Sequence, residues 1–223
     1  MRLASLFSGG KDSVYATHLV LKRGHIVSYL VSMRPRRSDS WMFHTVNLHL
    51  VSLSAEAMGI PSIQAETRGE EEEEVEDLKE ILGRLDVDGI VSGAIASNYQ
   101  KSRIERICRE LDLAPIMPLW GRDPVQLIEE IIDSGMVVIV TAVAALGCDE
   151  SWLGRTLDHA ALRDLVNLNR RYGVDICGEG GEMETLVLDA PFFRKRLKVL
   201  RTERRWEDNS GNLLVEAELV NKA

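Results

Sequence analysis

The first 120 residues alternate short apolar runs with longer segments of helical period. Leu3-Ala4-Ser5-Leu6-Phe7 has the length of a buried strand, and residues 13–23 carry a helical pattern closed by Gly24. Residues 26–32 repeat the strand signal, and residues 46–58 repeat the helical one, stopping at Gly59-Ile60-Pro61. Further strands are expected at 62–65, 89–93 and 115–118, with helices at 70–85 and 99–111. Strands separated by helices of this length predict an α/β fold with a parallel sheet covered on both faces. Ligands of such sheets bind beyond the carboxyl ends of the strands. The loop after the first strand is in that position.

The pattern changes after Pro118-Leu119-Trp120-Gly121. Asp123-Pro124 reads as the cap and first residue of a helix, residues 136–143 are strongly β-branched, and a helix is expected at about 160–172. A Gly-rich loop follows at 178–181. Two alternating runs around Asp208-Asn209-Ser210-Gly211 then read as a hairpin. These changes place a boundary near Trp120, with one domain over 1–120 and a smaller α+β domain over 121–223.

The turn after the first strand, Ser8-Gly9-Gly10-Lys11-Asp12-Ser13, carries the most specific chemistry. Such a turn aims backbone N–H groups and the positive end of a helix at whatever binds there, which suits a phosphate. Two glycines allow close approach, and Lys11 adds a full charge. Ser5 stands where a Walker A loop needs its first glycine, Asp12 follows the lysine, and Gly-x-Gly-x-x-Gly is absent. An aspartate beside a phosphate cradle is costly unless a cation offsets it. Asp12 is therefore expected to bridge Mg²⁺ to the phosphates, with Ser8 and Ser13 donating hydrogen bonds. Lys11 and Asp12 are both expected on the exposed part of the turn.

Composition narrows the partners. The 27 Lys+Arg against 35 Asp+Glu leave a net charge of −8, which argues against holding nucleic acid by bulk charge. Cys108, Cys148 and Cys177 lie far apart with no Cys-x-x-Cys pair. They read as reduced, buried thiols of a cytoplasmic protein. No apolar stretch reaches the ~20 residues that span a bilayer, and the N-terminus enters the first strand at once, so neither a membrane span nor a signal peptide is expected. The acidic run at 70–74 reads as a solvated helix start, where carboxylates favour the dipole.

Four further segments combine residue types that a fold alone does not require. Met33-Arg34-Pro35 and the following Asp39-Ser40-Trp41-Met42-Phe43-His44 lie at the ligand edge and offer apolar and stacking surface for a purine. After the fourth strand, Gly93 and Ala94 lead to Ser97, Tyr99 and Gln100, which can hydrogen-bond a substrate, while Arg103 can take an anion bidentately. Trp152-Leu153-Gly154-Arg155 reads as a packed tryptophan on a loop. Gly178-Glu179-Gly180-Gly181-Glu182-Met183-Glu184-Thr185 sets carboxylates close together on a flexible backbone, where they suit Mg²⁺, a cationic substrate or ammonia.

The phosphate turn resembles that of the ATP pyrophosphatases, which activate a substrate by adenylation. Taken in order, that turn, the 39–44 segment, Gly93-Ala94-Ile95 with Tyr99, Gln100 and Arg103, Pro118-Leu119-Trp120, Trp152-Leu153-Gly154 and the Glu-Gly-Gly-Glu-x-Glu-Thr segment are similar to the diphthine–ammonia ligase family. One departure is Met183, where the resemblance leads one to expect Tyr. The resemblance implies a HUP-type, Rossmann-like domain that cleaves ATP to AMP and pyrophosphate. It further implies amidation of diphthine on translation elongation factor 2 with ammonia, through an acyl adenylate. On that basis Lys11 and Asp12 are catalytic, Asp12 holds the metal, and Ser8, Gly9, Gly10, Ser13, Met33, Gly93 and Ala94 hold the nucleotide. Ser97, Tyr99, Gln100, Arg103, Trp120, Glu182, Glu184 and Thr185 are then the substrate residues, with Trp120, Glu182 and Glu184 facing a trimethylammonium group. A homodimer is compatible with the sequence without being required by it. A tRNA-modifying thiolase or ligase of the same superfamily, or a non-catalytic nucleotide-binding module, are the rival readings. The first commonly needs reactive cysteines and a basic surface, and the second has no need of a pyrophosphate loop beside an acidic domain.

Overall fold

The computed structural model describes residues 1–35, 47–67 and 71–222. Five parallel strands, β1 (Arg2–Leu6), β2 (Ile26–Pro35), β3 (Ser62–Thr67), β4 (Gly89–Val91) and β5 (Ala114–Ile116), form one sheet in the order β3-β2-β1-β4-β5. Alternation along β1 decides what each face meets. Leu3 and Phe7 join the core that contains Val14 and Val20 of α1 (Lys11–Lys22) and Val51 and Ala55 of α2 (Val51–Met58). Ala4 points the other way, onto Val75 and Leu78 of α3 (Glu71–Leu82) and Ile104 and Ile107 of α4 (Asn98–Glu110). Both faces are covered, as the alternating pattern requires.

The strand order puts β1 and β4 side by side while the chain leaves them in opposite directions, and this opens a crevice beyond their carboxyl ends. Gly93 makes the crevice possible. A Cβ there would stand 2.8 Å from the Asp12 carbonyl carbon and 2.9 Å from the Ser13 nitrogen. Both are backbone atoms, so neither yields by a rotamer change. Gly93→Ala will therefore force the start of α1 away from β4 at a cost of about 1–3 kcal/mol, seen as a lower urea midpoint at unchanged slope.

The second half holds α5 (Pro124–Asp133), β6 (Val137–Val143), α6 (His159–Tyr172), β7 (Met183–Asp189), β8 (Lys195–Glu207) and β9 (Ser210–Asn221). Its strands form an antiparallel sheet in the order β7-β6-β9-β8. Asp123 caps α5 through the Gln126 N–H at 2.9 Å, with Pro124 in the first helical position. Asp208, at φ +52°, turns the β8–β9 hairpin. Trp120 stands between β5 and α5.

Two helices start elsewhere than the pattern predicts. α1 begins at Lys11 rather than Ser13, because Gly9 at φ +79° turns the chain and Gly10 is already its extended cap. The helix expected over 46–58 is instead a 3₁₀ turn at Leu48–Leu50 followed by α2. Asn47 takes φ +60°, and its amide donates to the Leu213 carbonyl and accepts from the Val215 N–H, both at 2.9 Å. A cross-chain tie has overridden the local helical preference.

The two sheets share one hydrophobic core, in which Leu3, Phe7 and Val14 meet Val138, Leu186, Val187 and Leu213. The Val187 N–H donates to the Gly9 carbonyl at 3.0 Å, and the Arg194 N–H to the Ala57 carbonyl at 2.6 Å. The second half is thus pressed directly onto the turn after β1.

Candidate functional site

The turn between β1 and α1 is laced by its own hydroxyls. Ser13 Oγ donates to the Gly10 carbonyl at 3.1 Å and accepts from the Ser8 N–H at 3.3 Å, while the Gly10 N–H donates to Ser8 Oγ at 3.3 Å. Ser8, Gly10, Asp12 and Ser13 form one wall of a cleft that Gly93 and Ala94 continue. Phe7, Val31, Met33 and Ile104 supply its apolar part. Ser32 and Ser92 line the same part, the first donating to the Phe7 carbonyl and the second accepting from the Ala94 N–H. The 39–44 segment read as purine surface lies outside the described residues.

Lys11 corrects the expectation of an exposed turn. It is 1% exposed, and its ammonium donates to the Cys177 carbonyl and to Asp12 Oδ2, the latter at 2.9 Å. Position 11 is the first residue of α1 and faces inward, toward the segment that carries Cys177. Burial alone would lower its pKa, but the neighbouring charges, Asp12 foremost, raise it above the usual lysine value. Lys11 thus holds its charge on an interior tie between the Cys177 carbonyl and Asp12. Gly9 is likewise buried beneath the turn.

Asp12 presents a different face. Its Oδ1 is buried and accepts no hydrogen bond. Glu179, on the 3₁₀ turn Glu179–Gly181, lines the same cleft. Burial, then the charge of Asp12, raises the Glu179 pKa, although the charge of Lys11 and, less strongly, the Ala96 N–H pull it back. A carboxylate with a bare buried oxygen beside a second carboxylate is a donor set that fits a hard divalent cation such as Mg²⁺. Among the described residues no group of three or more His, Cys, Asp or Glu gathers. The remaining positions on such an ion would fall to ligand oxygens and water.

The second half contributes Met183, Glu184 and Thr185 to the same cleft, with Thr185 directly against the turn. Gln100 also lines the cleft. The other residues singled out as substrate contacts are engaged elsewhere. Ser97 caps α4 by accepting from the Gln100 N–H. The Arg103 guanidinium lies 3.4 Å from the Tyr99 ring centroid. Lys101 already places its ammonium 4.5 Å from the centroid of Trp120, so a cation sits on that ring. Glu182 accepts from the Asp175 N–H at 2.5 Å, a bond that shapes the loop before β7. Trp152 is packed as expected, with the Arg155 guanidinium 4.4 Å over its ring.

Sequence reasoning gave no role of its own to Glu179. It had a signal: Glu179 is flanked by Gly178 and Gly180, and these hold φ +78° and +71°.

Comparison with known proteins places these features in a family. The diphthamide synthase N-terminal domain matches residues 1–115, and the diphthamide synthase C-terminal domain matches residues 123–220. The diphthine–ammonia ligase of Homo sapiens is 40% identical over 226 residues, covering 91% of this chain and 84% of that protein. That of Danio rerio is 39% identical, covering 91% and 88%. That of Schizosaccharomyces pombe is 34% identical over 96% of this chain, which spans 38% of that longer protein. A solved chain described as a predicted subunit of a tRNA methyltransferase from Methanocaldococcus jannaschii has a TM-score of 0.47 at 16% identity, covering 86% of this chain and 98% of that one. That likeness is too weak to bear on function. With both domains matched in order and such identity along most of its length, the chain belongs to the diphthine–ammonia ligase family.

Proposed function

We propose that this protein amidates diphthine on translation elongation factor 2 with ammonia, splitting ATP to AMP and pyrophosphate. The observation that carries this reading is a single cleft lined both by a phosphate-type turn and by the carboxylates Glu179 and Glu184. A carboxylate is a poor acyl donor, so its oxygen first attacks the α-phosphorus and expels pyrophosphate. Ammonia then attacks the acyl carbon, AMP leaves, and a proton is lost. Ser8 and the next amides of α1, those of Asp12 and Ser13, receive the charge that grows on the leaving pyrophosphate. Mg²⁺ would be held by Asp12 beside Glu179 and would neutralise phosphate charge. Met33 and its apolar neighbours take the base, and Glu184 takes the cationic end of diphthine. No side chain need act as a nucleophile, because positioning and electrostatics are sufficient.

The thiolase reading is disfavoured by the cysteines. Burial pushes the Cys108 and Cys148 thiols up to about 11 and the Cys177 thiol up to about 12, far from a ready thiolate. No helix among the described residues is long and apolar enough to cross a membrane. A cytoplasmic protein acting on a cytoplasmic factor is the consistent location.

Mass spectrometry of elongation factor 2 from cells lacking this protein tests the reading. Accumulated diphthine supports it, and complete diphthamide sinks it. The acidic wall has its own test. Glu184→Gln will lower kcat/KM for the diphthine-bearing factor about 30-fold, ~2 kcal/mol for a half-desolvated charge contact, with ATP affinity by calorimetry unchanged. Glu182→Gln will do less, because glutamine keeps an oxygen for the Asp175 N–H. Equal loss from the two variants would show that the turn acts as a unit rather than through Glu184.

A further inference from the structure

The amide of Lys11, the first of α1, is one of the groups a phosphate would be expected to occupy. Here it donates to Thr185 Oγ1 at 3.1 Å, across 174 residues of sequence. Gly10 is open for the same reason. A Cβ on it would meet the Thr185 carbonyl at 3.2 Å and Oγ1 at 3.5 Å. The turn is therefore glycine-rich partly to admit a strand of the second half. β7 is fixed at this register, since the Val187 N–H, two residues on, donates to the Gly9 carbonyl at 3.0 Å.

The hydroxyl of Thr185 accepts from an amide and so keeps its own proton to donate. It lines the cleft together with Ser8, Gly10, Asp12 and Ser13. Lys11, by contrast, has turned its ammonium away from the cleft and onto the Cys177 carbonyl, eight positions before Thr185 on the same segment. The cation expected to touch phosphate thus anchors the segment that carries a hydroxyl to the phosphate wall. Next to both, Asp12 Oδ1 remains buried without a hydrogen bond.

We infer that Thr185 is a phosphate ligand contributed by the second half, donating its hydroxyl proton to an oxygen of the pyrophosphate group of a bound nucleoside triphosphate. This rests on the reading of the cleft as an ATP-cleaving site, and it transfers Thr185 from the diphthine side of that site to the nucleotide side. The geometry also makes the phosphate loop composite: neither half holds all of its donors.

Inorganic pyrophosphate, titrated into the full-length protein with Mg²⁺ by calorimetry, is the probe. Thr185→Val keeps shape but loses the hydroxyl, and will weaken pyrophosphate about 10-fold while leaving AMP binding near the parent value. Thr185→Ser will restore pyrophosphate affinity to within about twofold of the parent. A valine variant that binds pyrophosphate as well as the parent, or more tightly, overturns the inference. Tighter binding would mean that the threonine only blocks an amide the phosphate takes. A serine variant as weak as valine also overturns it, because the methyl contact and not the hydroxyl would then matter. If the parent protein binds neither pyrophosphate nor ATP, the nucleotide reading itself falls, and this inference with it.

Discussion

Lys11→Ala will lower the stability of the protein by about 3 kcal/mol, a fall in Tm of roughly 6–12 °C for a chain of this size. The variant leaves the Cys177 carbonyl and Asp12 Oδ2 without their cation in a site from which water is excluded at Lys11. The partial exposure of Asp12 lets water recover part of the loss, which sets the figure at the low end for breaking a buried charge pair. The sign with pH follows from the raised pKa of Lys11. A lysine whose folded pKa lies above its unfolded value contributes stability that is complete below the unfolded value, near 10.5, and is lost as pH rises through the folded one. Between pH 6 and 9 the deficit of Lys11→Ala will therefore be constant. A burial-protected pair is also screened little, so added salt will not erase it. Thermal melts across that window check both points. A variant as stable as the parent would return Lys11 to the cleft surface.

Asp12→Asn acts on chemistry instead. AMP formation will fall about 10²–10³-fold, the usual loss when one group that stabilises transition-state charge is removed. The fold should persist, because asparagine retains an oxygen for the Lys11 ammonium. Removing the negative charge also relieves Glu179, whose pKa is raised by burial and then by Asp12. Its carboxyl will titrate nearer the ordinary glutamate range in the variant, a shift visible by NMR of labelled glutamate. AMP produced at the parent rate would take Asp12 out of the mechanism.

The architecture of the first half was legible because each strand and helix announces itself locally. Leu3-Ala4-Ser5-Leu6-Phe7 needs only alternation to define its two faces, and Asp123-Pro124 needs only capping chemistry to start α5. The turn at Ser8–Ser13 was legible as a glycine-bearing strand-to-helix turn for the same reason. What escaped was set by contacts between residues far apart in sequence. No local rule says that Lys11 should turn inward, since its partner is a carbonyl 166 residues away. Asn47 leaves a helical pattern for the backbone of Leu213 and Val215. Tyr99, Arg103 and Trp120 have the composition of a ligand surface, and in the fold the Arg103 guanidinium lies over the Tyr99 ring and the Lys101 ammonium over Trp120. Composition identifies groups able to bind, and packing decides which are left to do so.

The bond from Lys11 to Thr185 has a consequence for how the protein comes into being. Chains leave the ribosome from the N-terminus, and early domains generally fold as they emerge. The five parallel strands end at Ile116, so that sheet can assemble while the second half is still being made. Its phosphate turn, however, lacks the neighbouring strand until synthesis passes residue 187. Closing a loop of that length is a late and entropically costly event, though its cost grows only logarithmically with length. A nascent chain that has not reached residue 187 therefore carries an unfinished turn, without the hydroxyl and the strand edge that pack against it in the folded protein.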